Sequence, residues 1–168
     1  MISQADIEKF ETWITAAEAT EVNDPNAMSL ATVDEKGMPN IRIVLLKSFG
    51  PEGFLFFTNH ESSKGRELSF CRAASLCFMW KSQGRSVTVQ GFVEIVGEAE
   101  SDEYFRSRPR LSQMGARASQ QSRPLSSRLA LMFAVAKLTL RYGLGPVPRP
   151  KHWGGFRLSP SSIEFHEE

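Results

Sequence analysis

Apolar residues near the N-terminus recur at the spacing of an amphipathic helix. The positions that follow this spacing are Ile7, Phe10, Ile14 and Ala17. Just before them, Ser3 and Asp6 match the pattern of a helix-capping signal. The two observations together predict a helix over about residues 4–20, with its apolar face turned towards a core.

Short apolar runs separated by turn residues occupy much of the remaining chain. They predict strands over residues 27–33, 41–47, 54–58, 74–80, 85–97, 153–158 and 162–166. Residues 34–37 read as a hairpin loop in which Gly37 supplies a positive φ. The strands between residues 27 and 58 leave no room for crossover helices, which excludes parallel pairing. We therefore predict a mainly β protein with peripheral helices, in which an antiparallel meander closes as a small barrel.

Three further helices are expected between or after these strands. Their predicted ranges are about 63–71, 100–107 and 125–141. The last prediction depends on a helical spacing of Leu125, Leu129, Phe133, Ala136 and Leu140. Residues 107–124 are polar and basic without a sustained apolar period, so we expect no regular element there. With no internal repeat or clear linker, residues 1–168 are predicted to form a single domain.

Composition narrows the class of protein. The chain has 168 residues, 41% of them hydrophobic, and two cysteines. These values are close to the average for globular proteins, which excludes a collagen, a low-complexity polymer and a disulfide scaffold. No apolar run of about 18 residues and no basic-then-apolar leader is present, so we expect a cytoplasmic protein without a membrane partner.

Charge is distributed unevenly, although the net charge is only +1. Residues 1–35 carry eight acidic side chains and one basic one, whereas residues 104–157 carry eleven basic side chains and no acidic one. A stretch of this kind is a solvated face, or it binds nucleic acid or a small phosphorylated ligand. The bases are mostly arginines scattered among apolar residues, which suits a pocket better than a nucleic-acid groove.

Several kinds of chemistry are excluded by missing motifs. The chain has neither a dinucleotide-binding G-x-G-x-x-G after a strand nor a P-loop. It also lacks a G-x-S-x-G nucleophile elbow and an H-E-x-x-H metal motif. We therefore expect no metal site and no general-base dyad, and this pattern favours a protein in which a cofactor carries the chemistry.

The segment 62–66 is the first candidate for binding an anion. Its sequence, S-S-K-G-R, opens a predicted helix with serine hydroxyls and two bases. Lys64 and Arg66 are unfavourable beside the partial positive charge of a helix N-terminus unless an anion binds there. The alternative is a serine cap with two solvated bases.

Two further segments combine basic and apolar residues. In the strand 42–47, the alternation of side chains points Arg42 and Lys47 to opposite faces. One interpretation is that the two bases contact a shared ligand at different heights along it. The other is that Arg42 extends from a strand edge to solvent. In 104–112, arginines at alternate positions together with a tyrosine and serines suit a phosphorylated ring compound, although an exposed helix end has the same composition.

Six ordered motifs give the chain a specific family resemblance. They are R-I-V-L-L-K at 42–47, F-F-T-N at 56–59, S-S-K at 62–64, Y-F-x-S-R-P-R-x-S at 104–112, Q-S at 121–122 and W-G-G-F-R at 153–157. In order and spacing they resemble the pyridoxamine 5'-phosphate oxidase family. The resemblance implies a split β-barrel that binds FMN at a homodimer interface. It also implies a role in pyridoxine biosynthesis: oxidation of pyridoxine or pyridoxamine 5'-phosphate to pyridoxal 5'-phosphate, with hydride transfer to FMN and reoxidation by dioxygen to give hydrogen peroxide.

The same resemblance assigns residues to two binding sites, with no residue assigned as a catalyst. The FMN contacts it implies are Arg42, Ile43, Val44, Leu45, Leu46, Lys47, Phe57, Thr58, Ser63, Lys64, Ser86, Gln121, Ser122 and His166. The substrate contacts it implies are Lys47, Tyr104, Arg108 and Ser112.

The chain departs from the family pattern at several of these positions. Ser86 replaces a usual glutamine, Ser63 replaces the arginine of S-R-K, and His166 replaces a tryptophan. The sequence ends at Glu168, before an R-L-H-D-R segment typical of the family, and lack of that segment should impair turnover more than FMN binding. These departures keep two alternatives open. One is a related FMN oxidoreductase with another substrate, such as a phenazine precursor, and the other is a non-catalytic protein that binds flavin or pyridoxal phosphate.

Overall fold

The computed structural model describes residues 2–119 and 127–168, and strands form the centre of its fold. In this part of the chain the strands are β1 (Ala27–Val33), β2 (Pro39–Gly50), β3 (Gly53–Asn59), β4 (Ala73–Trp80), β5 (Arg85–Ile95) and β6 (Trp153–Glu167). They close into an antiparallel barrel in the order β1-β2-β3-β6-β5-β4. The predicted antiparallel barrel is confirmed, including the hairpin at Gly37, whose φ is 79°.

Helices connect or precede these strands. They are α1 (Gln4–Thr20), α2 (Ser63–Phe70), α3 (Glu98–Ser107), α4 (Arg110–Ala118) and α5 (Arg128–Tyr142). The ranges of α1 and α2 agree with prediction to within a residue. The α3 helix begins two residues before the predicted start because Gly97 acts as its N-cap.

The chain divides into two compact units. We call the first the barrel unit, Met1–Phe56, Glu67–Ile95 and Phe156–Glu168, and the second the helical unit, Phe57–Arg66 and Val96–Gly155. Within the described residues, no helix has the length and apolar character needed to cross a bilayer.

The core of the barrel unit is centred on Phe10 of α1. Its ring is fully buried and makes edge-to-face contacts with Phe49, Phe54 and Phe78 at centroid distances of 4.8, 5.1 and 5.0 Å. Such aromatic pairs each add about 0.5–1.5 kcal/mol beyond the burial of their area. The apolar periodicity of α1 therefore places Phe10 against aromatic rings from three strands, β2, β3 and β4.

Two short strands were predicted at the end of the chain, and this prediction was wrong. Residues 153–167 form one strand, β6, paired with β5 along its length. The register shifts where Gln90 pairs with Ser162 and Gly91 pairs with Pro160, so Ser161 is an extra residue in a β-bulge. The bulge carries the strand through Ser159, Pro160 and Ser161, the residues between the two predicted strands, without ending it.

The expectation of no regular element over residues 107–124 was also wrong, because α4 forms there. Leu111 and Met114 are the only large apolar residues of this nine-residue helix, which are too few to establish a period in the sequence. Pro109 directly precedes the helix, a position at which its missing N–H costs no intrahelical hydrogen bond. The core of the helical unit is formed by Phe105, Met114, Val147 and Trp153.

Candidate functional site

The start of α2 buries a positive charge in the helical unit. Ser62 is fully buried, donates from Oγ to the carbonyl of Asn59 at 2.6 Å, and accepts from the N–H of Gly65 at 3.3 Å. Lys64 is only 9% exposed, and its Nζ lies 3.5 Å from Ser62 Oγ. The serine therefore does cap the helix. The ammonium group adds to the partial positive charge of the helix N-terminus, and this combination favours an anion.

Three aromatic rings lie nearly parallel in the same unit. Phe57 from the end of β3 stacks on Tyr104 of α3 with centroids 4.1 Å apart and on Trp153 at 5.3 Å. The interplanar angles are 19° and 11°. The motifs that carry these residues are far apart in sequence, and the fold brings them into one aromatic stack.

Arg108 lies beside this stack at the C-terminal end of α3. Its guanidinium carbon is 4.6 Å from the centre of the Trp153 ring, a cation–π geometry. Its Nη1 is buried and has no hydrogen-bond partner among the described residues. Burial lowers the pKa of Arg108 from its ordinary value, although the group remains cationic at neutral pH. A buried N–H of a charged group without an acceptor is costly, so the arrangement favours an incoming anion.

Gln113 fixes the turn between α3 and α4, and the sequence analysis did not identify it. Its side-chain amide donates to the carbonyls of Arg106 and Arg108 at 3.1 and 2.9 Å. The backbone of Arg108 is thereby held in place. Half-buried Ser112 lies on α4 just beyond this turn.

Arginines from the basic stretch secure the loop that precedes β6. Arg149 donates to Asp102 Oδ1 at 2.6 Å and to the carbonyl of Trp153 at 2.7 Å. Arg110 donates to the carbonyl of Gly145 at 2.9 Å, and Arg117 donates to that of Pro148 at 2.5 Å. Part of the basic charge therefore serves the unit's own backbone, because a loop rich in glycine and proline has few backbone hydrogen bonds of its own.

His60 packs against Gly154, the residue that follows Trp153. Its backbone N–H donates to the carbonyl of His152 at 2.7 Å, and its ring occupies the space that a Cβ on Gly154 would need. Burial and the positive charge of Arg149 lower the pKa of His60, so its ring is neutral at pH 7. This packing explains the small residue at Gly154.

In the barrel unit, Arg42 points inward. Its Nη2 lies 2.7 Å from Glu67 Oε2, and its Nη1 donates to Thr32 Oγ1. Asn40 donates to the other oxygen of Glu67 at 3.2 Å. Neither Thr32 nor Glu67 was identified from the sequence, because only the fold brings them to Arg42.

The outer face of β2 carries the alternate residues. Ile43 and Lys47 are exposed, and Leu45 lies between them on the same face. Val44 and Leu46 share the inner side with Arg42. The prediction that Arg42 and Lys47 point to opposite faces is confirmed.

Two positions at which the chain departs from the family pattern are neighbours in the barrel unit. Ser86 of β5 pairs directly with His166 of β6. His166 is exposed, and its Nε2 lies 3.8 Å from Glu164 Oε2. Nothing in the sequence indicates that these two substituted positions are neighbours in the fold.

The predicted site residues thus fall in two sets, one in each unit. The helical unit holds Phe57, Thr58, Ser63, Lys64, Tyr104, Arg108 and Ser112, and the barrel unit holds the strand 42–47 with Ser86 and His166. Gln121 and Ser122 lie outside the described residues. Within the described ranges, no group of three histidine, cysteine or carboxylate side chains is placed to hold a metal ion.

Comparison with solved structures supports the fold. PhzG from Burkholderia lata 383, solved in complex with tetrahydrophenazine-1-carboxylic acid, matches with a TM-score of 0.89 and 31% identity over 95% of this chain and 78% of its own. A pyridoxamine 5'-phosphate oxidase-related, FMN binding protein from Nostoc punctiforme matches with a TM-score of 0.75 and 13% identity over 99% of this chain and 87% of its own. The split-barrel fold is therefore confirmed.

Sequence comparison identifies the family. The family model described as pyridoxamine 5'-phosphate oxidase matches residues 14–142. A pyridoxine/pyridoxamine 5'-phosphate oxidase from Rhizobium etli is 58% identical over 159 residues, which cover 95% of this chain and 77% of the relative. That of Sinorhizobium fredii is 60% identical over 156 residues, with 93% and 76% coverage. On this evidence the chain belongs to the pyridoxamine 5'-phosphate oxidase family.

Proposed function

We propose that this protein is an FMN-dependent oxidase that converts pyridoxine or pyridoxamine 5'-phosphate to pyridoxal 5'-phosphate, with dioxygen as the final electron acceptor. Family membership and relatives of this name at 58–60% identity support an oxidase. The observation that carries the proposal is the buried Nη1 of Arg108, which has no partner among the described residues.

Arg108 suits the phosphate group of the substrate. Its guanidinium rests on the Trp153 ring, and the side-chain amide of Gln113 holds its backbone carbonyl in place. Tyr104 and Ser112 occupy positions four residues before and after it and supply hydroxyl donors. A phosphate monoester accepts several charge-assisted hydrogen bonds at once, and each is stronger than a bond between neutral groups. Lys47, in the barrel unit, is assigned to the substrate by resemblance alone.

The start of α2 fits the phosphate of FMN. Lys64 is buried beside the N-terminal turn, where backbone N–H groups lack intrahelical acceptors. Ser63 adds a hydroxyl next to it, and Phe57 and Thr58 of β3 complete the cofactor residues proposed in this unit. FMN, when bound, supplies the hydride acceptor that the side chains themselves lack. The role of the chain is to hold the phosphates and to fix the geometry of the reacting carbon.

In the barrel unit, the cofactor residues that we propose are the strand 42–47 with Ser86 and His166. Gln121 and Ser122 remain assigned to FMN by resemblance alone. The ion pair of Arg42 with Glu67 orients its guanidinium within the unit. Ser86 and His166 replace larger residues of the family at adjacent positions, so the effect of the two substitutions should be tested jointly.

A homodimer is part of this proposal. The outer face of the barrel presents Ile41, Ile43 and Met79, which are 72%, 65% and 67% exposed. Exposed apolar patches mark interaction surfaces, and we infer one from these side chains on β2 and β4. Lys47 lies on the same face of β2, so a second copy that covered Ile43 would also approach Lys47.

The test is an anaerobic visible spectrum of protein that has been reconstituted with FMN and desalted. Addition of pyridoxine 5'-phosphate should bleach the retained flavin band, and air should restore it with release of hydrogen peroxide. A retained band that neither pyridoxine nor pyridoxamine 5'-phosphate bleaches contradicts the proposed substrate. Failure to retain FMN contradicts the proposed cofactor.

A second candidate function is oxidation of a phenazine precursor by the same cofactor. It is favoured by the match to PhzG, which was solved with a tetrahydrophenazine carboxylic acid. A carboxylate could also satisfy Arg108, and the stack of Phe57, Tyr104 and Trp153 suits a planar ligand. Bleaching by a dihydrophenazine carboxylate but not by the B6 phosphates would select this function. Bound flavin reduced by neither class would indicate a non-catalytic flavin-binding protein.

A further inference from the structure

The backbone of Trp153, whose ring contacts Arg108, is hydrogen-bonded by Arg149, a residue that is not among the proposed substrate residues. The carbonyl of Trp153 accepts a hydrogen bond from Arg149 Nη1 at 2.7 Å. Arg149 Nε donates to Asp102 Oδ1 at 2.6 Å, which makes an ion pair. The side chain of Arg149 is 11% exposed and that of Asp102 is 49% exposed, so the guanidinium side of the pair is buried while solvent reaches the carboxylate.

The Arg149–Asp102 pair connects two segments that carry binding residues. Asp102 lies in α3, which also carries Tyr104 and has Arg108 as its C-cap residue. Arg149 lies in the loop before Trp153, whose indole ring is the surface on which Arg108 rests. A guanidinium can make both bonds at once because its N–H donors are fixed in a plane, whereas an ammonium on a lysine cannot reproduce that geometry.

We propose that Arg149 is a positioning residue for phosphate binding, which acts by fixing Trp153 and through it the guanidinium of Arg108. The inference rests on the proposed function, since it assigns a phosphate ester to Arg108. Arg149 itself contacts no ligand in this scheme. Its loss leaves the charge of Arg108 intact but lets the guanidinium leave the orientation that a phosphate needs.

The test compares Arg149→Lys with wild-type holoenzyme in steady-state kinetics. We expect the KM for pyridoxine 5'-phosphate to rise about tenfold while kcat changes less than twofold, because the interaction affects binding and not hydride transfer. Retained FMN and the melting temperature should stay close to wild type. An unchanged KM, or a fall in kcat with loss of FMN, would overturn the assignment.

Arg117→Lys is the matched control. Arg117 also donates to a carbonyl of the same loop, that of Pro148, but it does not contact Trp153. Its KM should remain within twofold of wild type. An equal rise of KM in both variants would mean that the loop responds to the loss of any hydrogen bond to its backbone, and the specific role of Arg149 would be wrong.

Asp102→Asn keeps the shape of the side chain and removes its charge. It should therefore also raise KM, by a smaller factor than Arg149→Lys. An unchanged KM in this variant contradicts the proposal.

A binding measurement separates this inference from the proposed function. The probe is 4-deoxypyridoxine 5'-phosphate, which has no C4' alcohol or amine to oxidise, measured by equilibrium dialysis against the holoenzyme. Arg149→Lys should weaken its binding about tenfold and leave that of unphosphorylated 4-deoxypyridoxine unchanged. If wild type binds the probe but oxidises neither B6 phosphate, the proposed function fails while the inference stands. If turnover is normal and the probe binds both proteins equally, the inference fails alone.

Discussion

At the scale of single residues, Arg108 is the most informative position. Its guanidinium rests on Trp153, and its Nη1 is buried without a partner in the described part of the chain. Neutral hydrogen bonds contribute roughly 0.5–1.5 kcal/mol, whereas those to charged groups contribute about 1.5–3 kcal/mol. Because Arg108 Nη1 has no partner in the free protein, an anionic ligand that accepts its hydrogen bond should gain binding free energy in the range given for charged groups.

Arg108→Gln should therefore weaken substrate binding strongly. We expect the KM for pyridoxine 5'-phosphate to rise about 10- to 100-fold, which corresponds to the loss of a charge-assisted hydrogen bond. The measurement is steady-state peroxide release from FMN-loaded protein. Arg106→Gln is the control, because Arg106 is exposed on the same helix and should leave KM unchanged. An equal rise of KM in the two variants would mean that Arg108 acts only through its positive charge and not through a specific hydrogen bond.

At the scale of elements, the start of α2 depends on a close backbone approach. A Cβ on Gly65 would lie 2.5 Å from the carbonyl carbon of His60 and 2.6 Å from its Cα. Backbone atoms cannot swing aside as the end of a flexible side chain can. The small residue next to Lys64 is thus required for the chain to turn from β3 into α2.

Gly65→Ala should destabilise the protein by about 1–3 kcal/mol, because the added methyl group overpacks the turn before α2. It should also weaken FMN retention, since the first turn of α2 must shift. Gly115→Ala in α4 is a matched helical control with open space around its Cβ. It should stabilise by roughly 0.5–1 kcal/mol through helix propensity. Chemical denaturation measures both, and a stabilised Gly65→Ala would refute the steric account.

The α1 helix allows a prediction about pH. Ser3 and Asp6 form a reciprocal capping box, and the hydrogen bonds from Ser3 hold the pKa of Asp6 below its ordinary value of 3.8. A carboxyl group with a depressed folded-state pKa stabilises the fold above its unfolded-state pKa, and this stabilisation is lost as the pH falls through the folded-state value.

Asp6→Asn should accordingly lower the free energy of unfolding at pH 7 but cause a smaller loss near pH 3. Asp6 is exposed, so the effect is modest, and urea denaturation of variant and wild type at both pH values measures the difference. A difference that stayed constant with pH would show that the charge of Asp6 does not contribute. Ser3→Ala should cost about 1 kcal/mol at pH 7, the usual value for loss of an N-cap.

At the scale of the whole molecule, one face of the barrel is apolar and exposed. Ile41, Ile43 and Met79 project from the outer faces of β2 and β4. Burial of one such side chain contributes roughly 1.5–3 kcal/mol. A second copy of the chain is the partner we propose for this face.

Ile43→Arg should convert the proposed dimer to a monomer and reduce FMN retention, because an arginine placed in an apolar interface must be desolvated. Light scattering after size exclusion measures the mass, and the visible spectrum measures bound flavin. Val22→Arg is the control, since Val22 is 98% exposed in the segment between α1 and β1. A monomeric wild type that binds FMN would contradict the dimer.

Local patterns in the sequence determined much of the secondary structure. The spacing of Phe10 and its neighbours was enough to predict α1, because a helix buries one face at a fixed period. Alternation along β2 was likewise enough to assign Arg42 and Lys47 to opposite faces. The prediction failed where the local signal was weak or misleading. The α4 helix, which has only two buried residues, was missed. The strand β6 was divided into two, although a bulge carries it past Pro160.

Which distant residues meet was decided by the tertiary structure alone. Residue type made Arg42 and Arg108 candidates, and the family resemblance added Ser86 and His166. Nothing in their spacing showed that Glu67 pairs with Arg42 or that Ser86 and His166 are neighbours. The role of Arg149 at the Trp153 backbone was equally invisible. The physical reason is that periodicity depends on residues a few positions apart, whereas these contacts depend on strand register and on helix packing between segments far apart in sequence.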